Sequence, residues 1–547
     1  MPTLVCVPIL VEDAPGALAR AHTAQRAGAS IVELRIDRAF TGAPGAADRE
    51  TREIVGLVAS CPLPCIVTCR AASEGGFYDG ADEARVALLT RLVGGAMPPT
   101  MIDVEWAHWA GERHTWAPLR RALAAAAQPP TLILSVHDFS GPPAGLMRSL
   151  ASMSRDERCG IIKVAFRART LHDALSVLEL PAALPRPAIA LGMGDPGVIS
   201  RVLAPKFGAF LTFASVAHGA GTAPGQPTLQ DLFETYRFRS IGASTGVYGV
   251  VGSPVTHSLS PVVHNAAFAA LGVDAVYVPM PVEAYEGDGA ASDAAFKAQL
   301  LEAVHHERLG LRGASVTMPH KERLARLARA QGWDLDTAAR ETSAGNTLVI
   351  ERRAGAVSRV RVLNTDAPAV ERLLTDALGA LAGKRVGVVG TGGVGRAAAY
   401  AAARRGATVV VHGRDAGRAR TLCDLLAPHC PDGELIPAEL ASLDRVCCDA
   451  VVQATPIGME GAGVAPGAAL PVGAMNGCPD RCVLLETVYK PIETPTVKAA
   501  RARGWRVIDG VTLFVTQAEM QCEHWTGSPP PRGLFDRLAR AAAEARR

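Results

Sequence analysis

The chain has 547 residues, more than one hydrophobic core organises, so at about 150 residues per domain it holds several. Lysine plus arginine number 56 against 53 aspartate plus glutamate, and a net charge of +3 excludes a dominant surface for nucleic acid or acidic lipid. With 48% apolar and 20% charged residues the chain is not disordered, and Pro and Gly break every apolar run before the roughly 20 residues a membrane span needs.

From residue 1 to about 235, short apolar runs recur with helical patterning between them: Leu4 to Leu10, Ile31 to Leu34, Cys65 to Thr68, Met101 to Val104, Thr131 to Val136, Ile161 to Ala165, Ala188 to Met193 and Phe210 to Ala214. Strands alternating with helices pair in parallel, and eight such units are the number that closes a (β/α)8 barrel. Glu33, Arg35, Arg70, Asp103, Glu105, His137, Lys163 and Ser215 lie in or just after different strands, where barrel enzymes assemble their sites. Arg237 to Gly246 reads as a short linker. Beyond it, strands are expected at Val247 to Val251, Ala275 to Pro279 and Leu311 to Thr317, separated by helices. The run from Lys384 to Val389 then enters a glycine-rich turn followed by an alanine-rich helix, and a further strand spans Ala407 to Val411.

Two sets of residues carry chemistry. Lys163 sits in a nearly all-apolar strand, where desolvation lowers an amine's pKa as a nucleophile requires; a lysine paired with a carboxylate is the equal alternative. His137 supplies a group that titrates near neutrality, and Arg70 and Arg201 suit a substrate carboxylate. In the second half, Gly390-x-Gly392-x-x-Gly395 follows a strand and opens a helix, the context of a dinucleotide-binding turn. The next strand ends in His412-Gly413-Arg414-Asp415, with Arg418 one turn on. Two arginines there favour a 2′-phosphate, hence NADP, and Asp415 keeps NAD as the minority reading. The twelve cysteines are scattered, without the Cys-x-x-Cys or Cys/His quartet of a zinc site. Together with a start that lacks a basic leader and a cleavage site, they place the chain in the cytoplasm.

Glu33-Leu34-Arg35-x-Asp37, Thr68-x-Arg70, Glu74-Gly75-Gly76, Ser135-x-His137-Asp138-Phe139, Lys163-x-Ala165, Gly192-Met193-Gly194 through Ser200-Arg201, and Gly225-Gln226 resemble the type I 3-dehydroquinate dehydratases. That resemblance implies a barrel that dehydrates 3-dehydroquinate through a lysine Schiff base. Lys163 would form it, His137 would be the acid/base and Glu74 the carboxylate that assists it. Glu33, Arg35, Arg70, Arg201, Ser215 and Gln226 would bind substrate, and no metal is implied.

Tyr248 to Pro261 with His257, Ser258 and Ser260, then His264-Asn265, Val316-Thr317-x-Pro319-His320-Lys321, Gly345-Asn346-Thr347, Asn364-Thr365-Asp366, Ala454-Thr455-Pro456, Tyr489-x-Pro491 and Gln517 through Gln521 resemble the shikimate dehydrogenases. This second resemblance implies reduction of 3-dehydroshikimate with NADPH. Lys321 and Asp366 would be the catalytic pair. Ser258, Ser260, Thr317, Asn346, Tyr489 and Gln517 or Gln521 would bind substrate, and Gly390, Gly392, Gly393, Gly395, Arg414, Arg418 and Thr455 the cofactor. Gly413, Gln453, Glu486 and Ala367-Pro368 depart from the family pattern on the cofactor side. The implied organisation is a barrel over 1–238, a substrate-binding domain over 245–366, a Rossmann NADP domain over 367–512 and a helical segment over 513–547 that packs back on the substrate domain. The rival readings are a catabolic quinate/shikimate dehydrogenase using NAD, and a chain with one half kept only as a scaffold.

Overall fold

The computed structural model describes residues 2–545 except 112–113, 218, 220–224, 256–257, 286–288, 461–466, 473–474, 476–477 and 479–480, and omits the side chain of Asp444. His257 of the serine-rich motif therefore lies outside the described residues. The chain divides into two compact units, one of Met1–Thr245 with Val278–Pro281, the other of Gly246–Tyr277 with Val282–Arg547.

Eight parallel strands form the sheet of the first unit: β1 (Leu4–Leu10), β2 (Ile31–Arg35), β3 (Cys65–Thr68), β4 (Met101–Glu105), β5 (Thr131–Asp138), β6 (Cys159–Arg167), β7 (Ala188–Met193) and β8 (Leu211–Phe213). They run in the order β7-β6-β5-β4-β3-β2-β1-β8, and the Phe210 N–H donates to the Ala188 carbonyl at 2.8 Å, which closes the ring. A strand turns alternate residues to the same side, so the interior is built in layers. Ile31, Ile66, Met101, Ile133 and Ile161 pack together as an apolar layer. Two residues further along each strand stand Glu33, Thr68, Asp103, Ser135 and Lys163, all buried. Two further on come Arg35, Arg70, Glu105, His137 and Ala165, toward the carboxyl ends. The expected linker is fastened rather than loose: Lys206 Nζ donates to the carbonyls of Ala243 and Thr245, both at 2.8 Å.

Beyond Thr245 the chain forms two sheets. The first contains β9 (Gly246–Gly252), β10 (Ala275–Pro281), β11 (Leu311–Val316), β12 (Asp334–Leu335), β13 (Thr347–Arg353) and β14 (Ala356–Leu363), in the order β10-β9-β11-β13-β14-β12. The hairpin β13–β14 is antiparallel and was not expected from the sequence. Its two-residue turn is Ala354-Gly355, with φ of 50° and 85°, so an alanine takes a left-handed position where Asn or Gly would announce a hairpin. Its outer half is polar and exposed, and carries no apolar alternation.

The other sheet contains β15 (Arg385–Val389), β16 (Thr408–Gly413), β17 (Glu434–Glu439), β18 (Ala450–Gln453), β19 (Val483–Glu486) and β20 (Arg506–Ile508), all parallel in the order β17-β16-β15-β18-β19-β20. This is the doubly wound Rossmann arrangement, and its order reverses beside β15, whose carboxyl end carries the glycine-rich turn. The helix Gly510–Thr526 starts just before the expected helical segment and bonds to the sheet that contains β11 and β13. Ser315 donates to Gln521 Oε1 at 2.7 Å, Gln521 Nε2 to Thr347 Oγ1 at 2.9 Å, and Trp525 Nε1 to the Leu348 carbonyl at 2.9 Å. Among the described residues no helix is long and apolar enough to cross a membrane.

Candidate active sites

In the barrel the middle polar layer gathers around one amine. Lys163 Nζ donates to Glu33 Oε1 at 3.0 Å and to Asp103 Oδ2 at 2.8 Å, and lies 4.8 Å from the centre of the Phe213 ring. Burial alone would lower the lysine pKa, but the Asp103 and Glu33 carboxylates more than offset it and raise the pKa above its ordinary value. The sequence reading of a depressed amine is thereby corrected, and the alternative of a lysine paired with acids holds. Asp103 is the hub: it also accepts from Arg70 Nη2 at 2.8 Å and Ser135 Oγ at 2.6 Å. Despite burial, Arg70 and Lys163 hold its carboxyl far below the usual range.

His137 lies at the end of β5, and its Nδ1 is 3.0 Å from Glu74 Oε2, which also accepts the His137 backbone N–H at 2.9 Å. Burial, then the Arg70 and Lys163 cations, keep the imidazole pKa well below its usual value, so the ring is neutral. Burial pushes the Glu74 carboxyl up to about 7 against the lowering influence of Arg70. The contact is thus a hydrogen bond rather than an ion pair; with Glu74 ionised, Nδ1 carries the proton and Nε2 is left as a base. The Glu74-Gly75-Gly76 turn folds back over the strand end so tightly that a Cβ on Gly76 would sit 2.0 Å from the Arg70 carbonyl oxygen.

The other expected residues divide. Arg35 is held by Asp37 through two bonds of 2.8 and 2.9 Å and is half-buried. Ser215 is buried and bridges backbone to backbone with Thr228, next to the half-buried Gln226. Arg201, on the short helix Val198–Val202, is fully buried, and its Nε has no acceptor. Among the described residues no carboxylate pairs with it, and burial alone pulls its pKa down to about 10. Keeping a buried guanidinium charged without a paired carboxylate is costly. Asp103, Ser135, Glu105 and Arg85 complete the polar cluster; the first three follow from the two-residue alternation, whereas Arg85 arrives from an outer helix that no strand pattern foretells.

In the second unit Lys321 opens the helix Lys321–Gln331, and its Nζ donates to Asp366 Oδ2 at 2.6 Å. Asn346 Nδ2 donates to Thr365 Oγ1 at 3.0 Å and to Gln517 Oε1 at 3.4 Å, so Asn346 and Gln517 meet. Gln521 does not join them with a spare donor: its amide nitrogen is spent on the Asn346 carbonyl and Thr347. Ser260 is buried, and Ser258 accepts its backbone N–H at 3.2 Å; Thr317 and Tyr489 are half-buried. Asn265 is structural, because its side chain binds Tyr277 through both N–H and carbonyl and also caps the Pro261 carbonyl. His264 stacks on Tyr277 with centroids 4.7 Å apart, and burial pulls its pKa down to about 3.

The four glycines of the dinucleotide turn have different reasons. A Cβ on Gly395 would stand 2.0 Å from the Gly390 carbonyl oxygen, and one on Gly393 would strike Lys321 Cδ at 2.7 Å. A Cβ on Gly392, which caps the helix Gly393–Ala403, would meet nothing within 4 Å. The helix amino terminus offers unpaired N–H donors to a phosphate. Arg414 and Arg418 are exposed, while Asp415 caps its own helix by accepting from Gly417 and Arg418 N–H at 2.8 and 3.3 Å. Gln453 ties the following loop, accepting from Thr455 N and Oγ1 and donating to the Thr455 and Ile457 carbonyls. Glu486 likewise accepts from Thr487, Val488 and Thr494, and burial raises its pKa to about 7. Both departures from the family pattern therefore act as loop staples. These residues fit a phosphorylated dinucleotide.

The first unit is thus a lyase barrel with a buried lysine and histidine in adjacent polar layers, and the second a nicotinamide-dependent dehydrogenase. Residues 5–243 match the family model for type I 3-dehydroquinase and residues 250–348 that for the shikimate dehydrogenase substrate binding domain. A bifunctional 3-dehydroquinate dehydratase/shikimate dehydrogenase of Arabidopsis thaliana, chloroplastic, is 29% identical over 98% of this chain and 84% of its own. A shikimate dehydrogenase (NADP(+)) of Anaeromyxobacter dehalogenans is 38% identical over 56% of this chain and all of its own. A solved dehydroquinate dehydratase and shikimate dehydrogenase from S. pombe covers 99% of this chain and 98% of its own at 23% identity, with a TM-score of 0.41. The chain belongs to the family in which a type I 3-dehydroquinase is joined to a shikimate dehydrogenase.

Replacing Arg201 by Met is expected to stabilise the first unit by about 1–4 kcal/mol, because a buried charge without a partner is exchanged for an apolar chain of similar length. Denaturant unfolding checks this; a lower midpoint would mean that the guanidinium already has its counter-ion.

Proposed function

We propose that the first unit dehydrates 3-dehydroquinate to 3-dehydroshikimate and that the second reduces this product to shikimate with NADPH. The observation that carries the reading is a buried lysine and a neutral histidine in adjacent layers of one barrel, with an unaccompanied Arg201 to receive a carboxylate. Lys163 rests as an ammonium and passes a proton to one of the two carboxylates that touch it. The freed amine adds to the ketone, and loss of water gives an iminium. The iminium acidifies the neighbouring carbon; His137 Nε2 takes that proton and returns it to the departing hydroxyl, while Glu74 steadies the imidazolium. Hydrolysis releases the enone and restores Lys163. Arg201 and Arg70 are assigned to the carboxylate end, and Glu33, Arg35, Ser215 and Gln226 to the hydroxyls and the closing of the site.

In the second unit Ser258, Ser260, Thr317, Asn346, Tyr489 and Gln517 are assigned to the substrate, and Gly390, Gly392, Gly395, Arg414, Arg418 and Thr455 to NADP. NADPH held by these residues would supply a hydride to the carbonyl carbon. Lys321, steadied by Asp366, stabilises the oxygen that becomes negative and delivers its proton. The domain limits given by the sequence remain our reading of the units, and the segment 513–547 is assigned to the substrate side. A cytoplasmic location suits the twelve free thiols.

Incubation with 3-dehydroquinate should give rising enone absorbance without cofactor, and the absorbance should fall when NADPH is added and consumed. Lys163→Ala should lower the first phase by about 10³-fold or more. Borohydride added during turnover should leave a covalent adduct on Lys163 that mass spectrometry locates. Absence of enone or of the adduct would refute the lyase assignment; an enone that ignores NADPH, with quinate oxidised by NAD, would establish the catabolic reading.

The Glu74 carboxyl near 7 gives a second test. Its charged form, which holds Nδ1–H and frees Nε2, is present above that pH, so the dehydration rate should rise as pH increases through about 7. Glu74→Gln should flatten this limb. An unchanged limb would assign it to another group.

A further inference from the structure

Arg85 lies on the helix Asp82–Val93, outside the barrel, yet is fully buried. Its guanidinium is enclosed by aromatic faces, with Trp116 at 5.0 Å and Tyr78 at 5.7 Å from the ring centres. From there Nη1 donates to the Cys69 carbonyl at 3.0 Å and to Glu105 Oε2 at 2.9 Å, while Nη2 lies 2.9 Å from Asp82. The other Glu105 oxygen accepts the Ala71 N–H at 2.9 Å and lies 3.2 Å from Arg70 Nη1. The carbonyl before Arg70, the amide after it and the Arg70 guanidinium itself are therefore all gripped by one buried ion pair. Both arms of the site hang from that grip. One arm runs from Arg70 through Asp103 to Lys163. The other is the turn that begins at Ala71 and presents Glu74 to His137.

Resting on the dehydratase reading above, we propose that Arg85 and Glu105 are positioning residues for that reaction, fixing at once the Arg70–Asp103–Lys163 chain and the turn that carries Glu74. Neither touches the reacting atoms. A buried ion pair contributes little net stability against an apolar replacement but is strongly directional, which is what a geometric role uses. Displacement of a catalytic group by about 1 Å costs on the order of 100-fold in rate. Glu105 has an electrostatic consequence as well. The charged groups facing Glu74 are Arg70, Glu105, Asp103 and the neutral His137; of these, Glu105 and Asp103 raise the Glu74 pKa and Arg70 lowers it. Removing the Glu105 charge while keeping its shape lowers the pH at which Glu74 ionises.

The test compares the full-length protein with Glu105→Gln, Arg85→Lys and Arg85→Met in the enone assay across pH, alongside thermal melts. Glu105→Gln is expected to lower kcat by about 10- to 100-fold with KM changed less than threefold, and to move the acid limb to lower pH. Arg85→Met should lower kcat at least as far, and Arg85→Lys, which keeps the charge, should recover part of it. Unchanged kcat and acid limb per folded molecule in Glu105→Gln would overturn the proposal, whatever the melting temperature does. So would an equal loss in Arg85→Lys and Arg85→Met that follows the melting temperature alone. Wild-type protein that makes no enone would sink the dehydratase reading itself and the proposal with it; active wild type beside unaffected variants would sink the proposal alone.

Discussion

The buried ammonium of Lys163 between the carboxylates of Glu33 and Asp103 is the contact on which the first unit is organised. A lysine in an apolar barrel is costly, and so is each acid; together they offset one another, with Arg70 and Ser135 donating to the second Asp103 oxygen and Thr68 adding a bond to Glu33 Oε1. The same network sets the chemistry. Burial, aided by the two nearby cations, keeps His137 neutral, which suits it to act as a base, while the carboxylates beside Lys163 favour its charged form. Arg201 is buried with no carboxylate beside it among the described residues, and we assign it to the carboxylate of the substrate.

The second unit solves a different problem with a similar economy. Its dinucleotide turn and its lysine are in direct contact, for a Cβ on Gly393 would overlap Lys321. The Lys321 helix is tied to the cofactor helix again through Glu322 and Arg396 at 3.0 Å. A group bound at the turn is therefore presented beside the Lys321–Asp366 pair. Gln521, spent on backbone and Thr347, fastens the last long helix to the sheet and leaves Gln517 to face Asn346.

Much of this is legible in the sequence because barrel strands are short, apolar and bounded by turns, and because a strand's alternation puts Ile31, Glu33 and Arg35, or Ile133, Ser135 and His137, on one side. For Lys163 the sequence left a desolvated amine and an amine paired with acids as equal readings, for a physical reason. Desolvation is visible in its own strand, whereas the acids that outweigh it stand 60 and 130 positions away and meet it only when the ring closes. Arg85 escaped notice on the same ground: its partners, the Cys69 carbonyl and Glu105, lie 16 and 20 positions away and meet it only in the fold. The β13–β14 hairpin was hidden by its polar outer half and by the Ala354-Gly355 turn, and β17 by its exposed residues and Pro437. The contrasting duties of Gln517 and Gln521 needed the helix register, which spacing alone does not supply.

The central claim is that Lys163 rests as an ammonium held by two carboxylates and is released for attack only when substrate arrives. Titration of an isotopically labelled Lys163 amine by NMR, assigned by comparison with Lys163→Met, tests it directly. The account predicts that in free enzyme the amine stays charged through the pH range of an ordinary lysine, beyond about pH 10. An amine that loses its proton near neutrality in the free enzyme would contradict it and return the site to a desolvated, already neutral nucleophile.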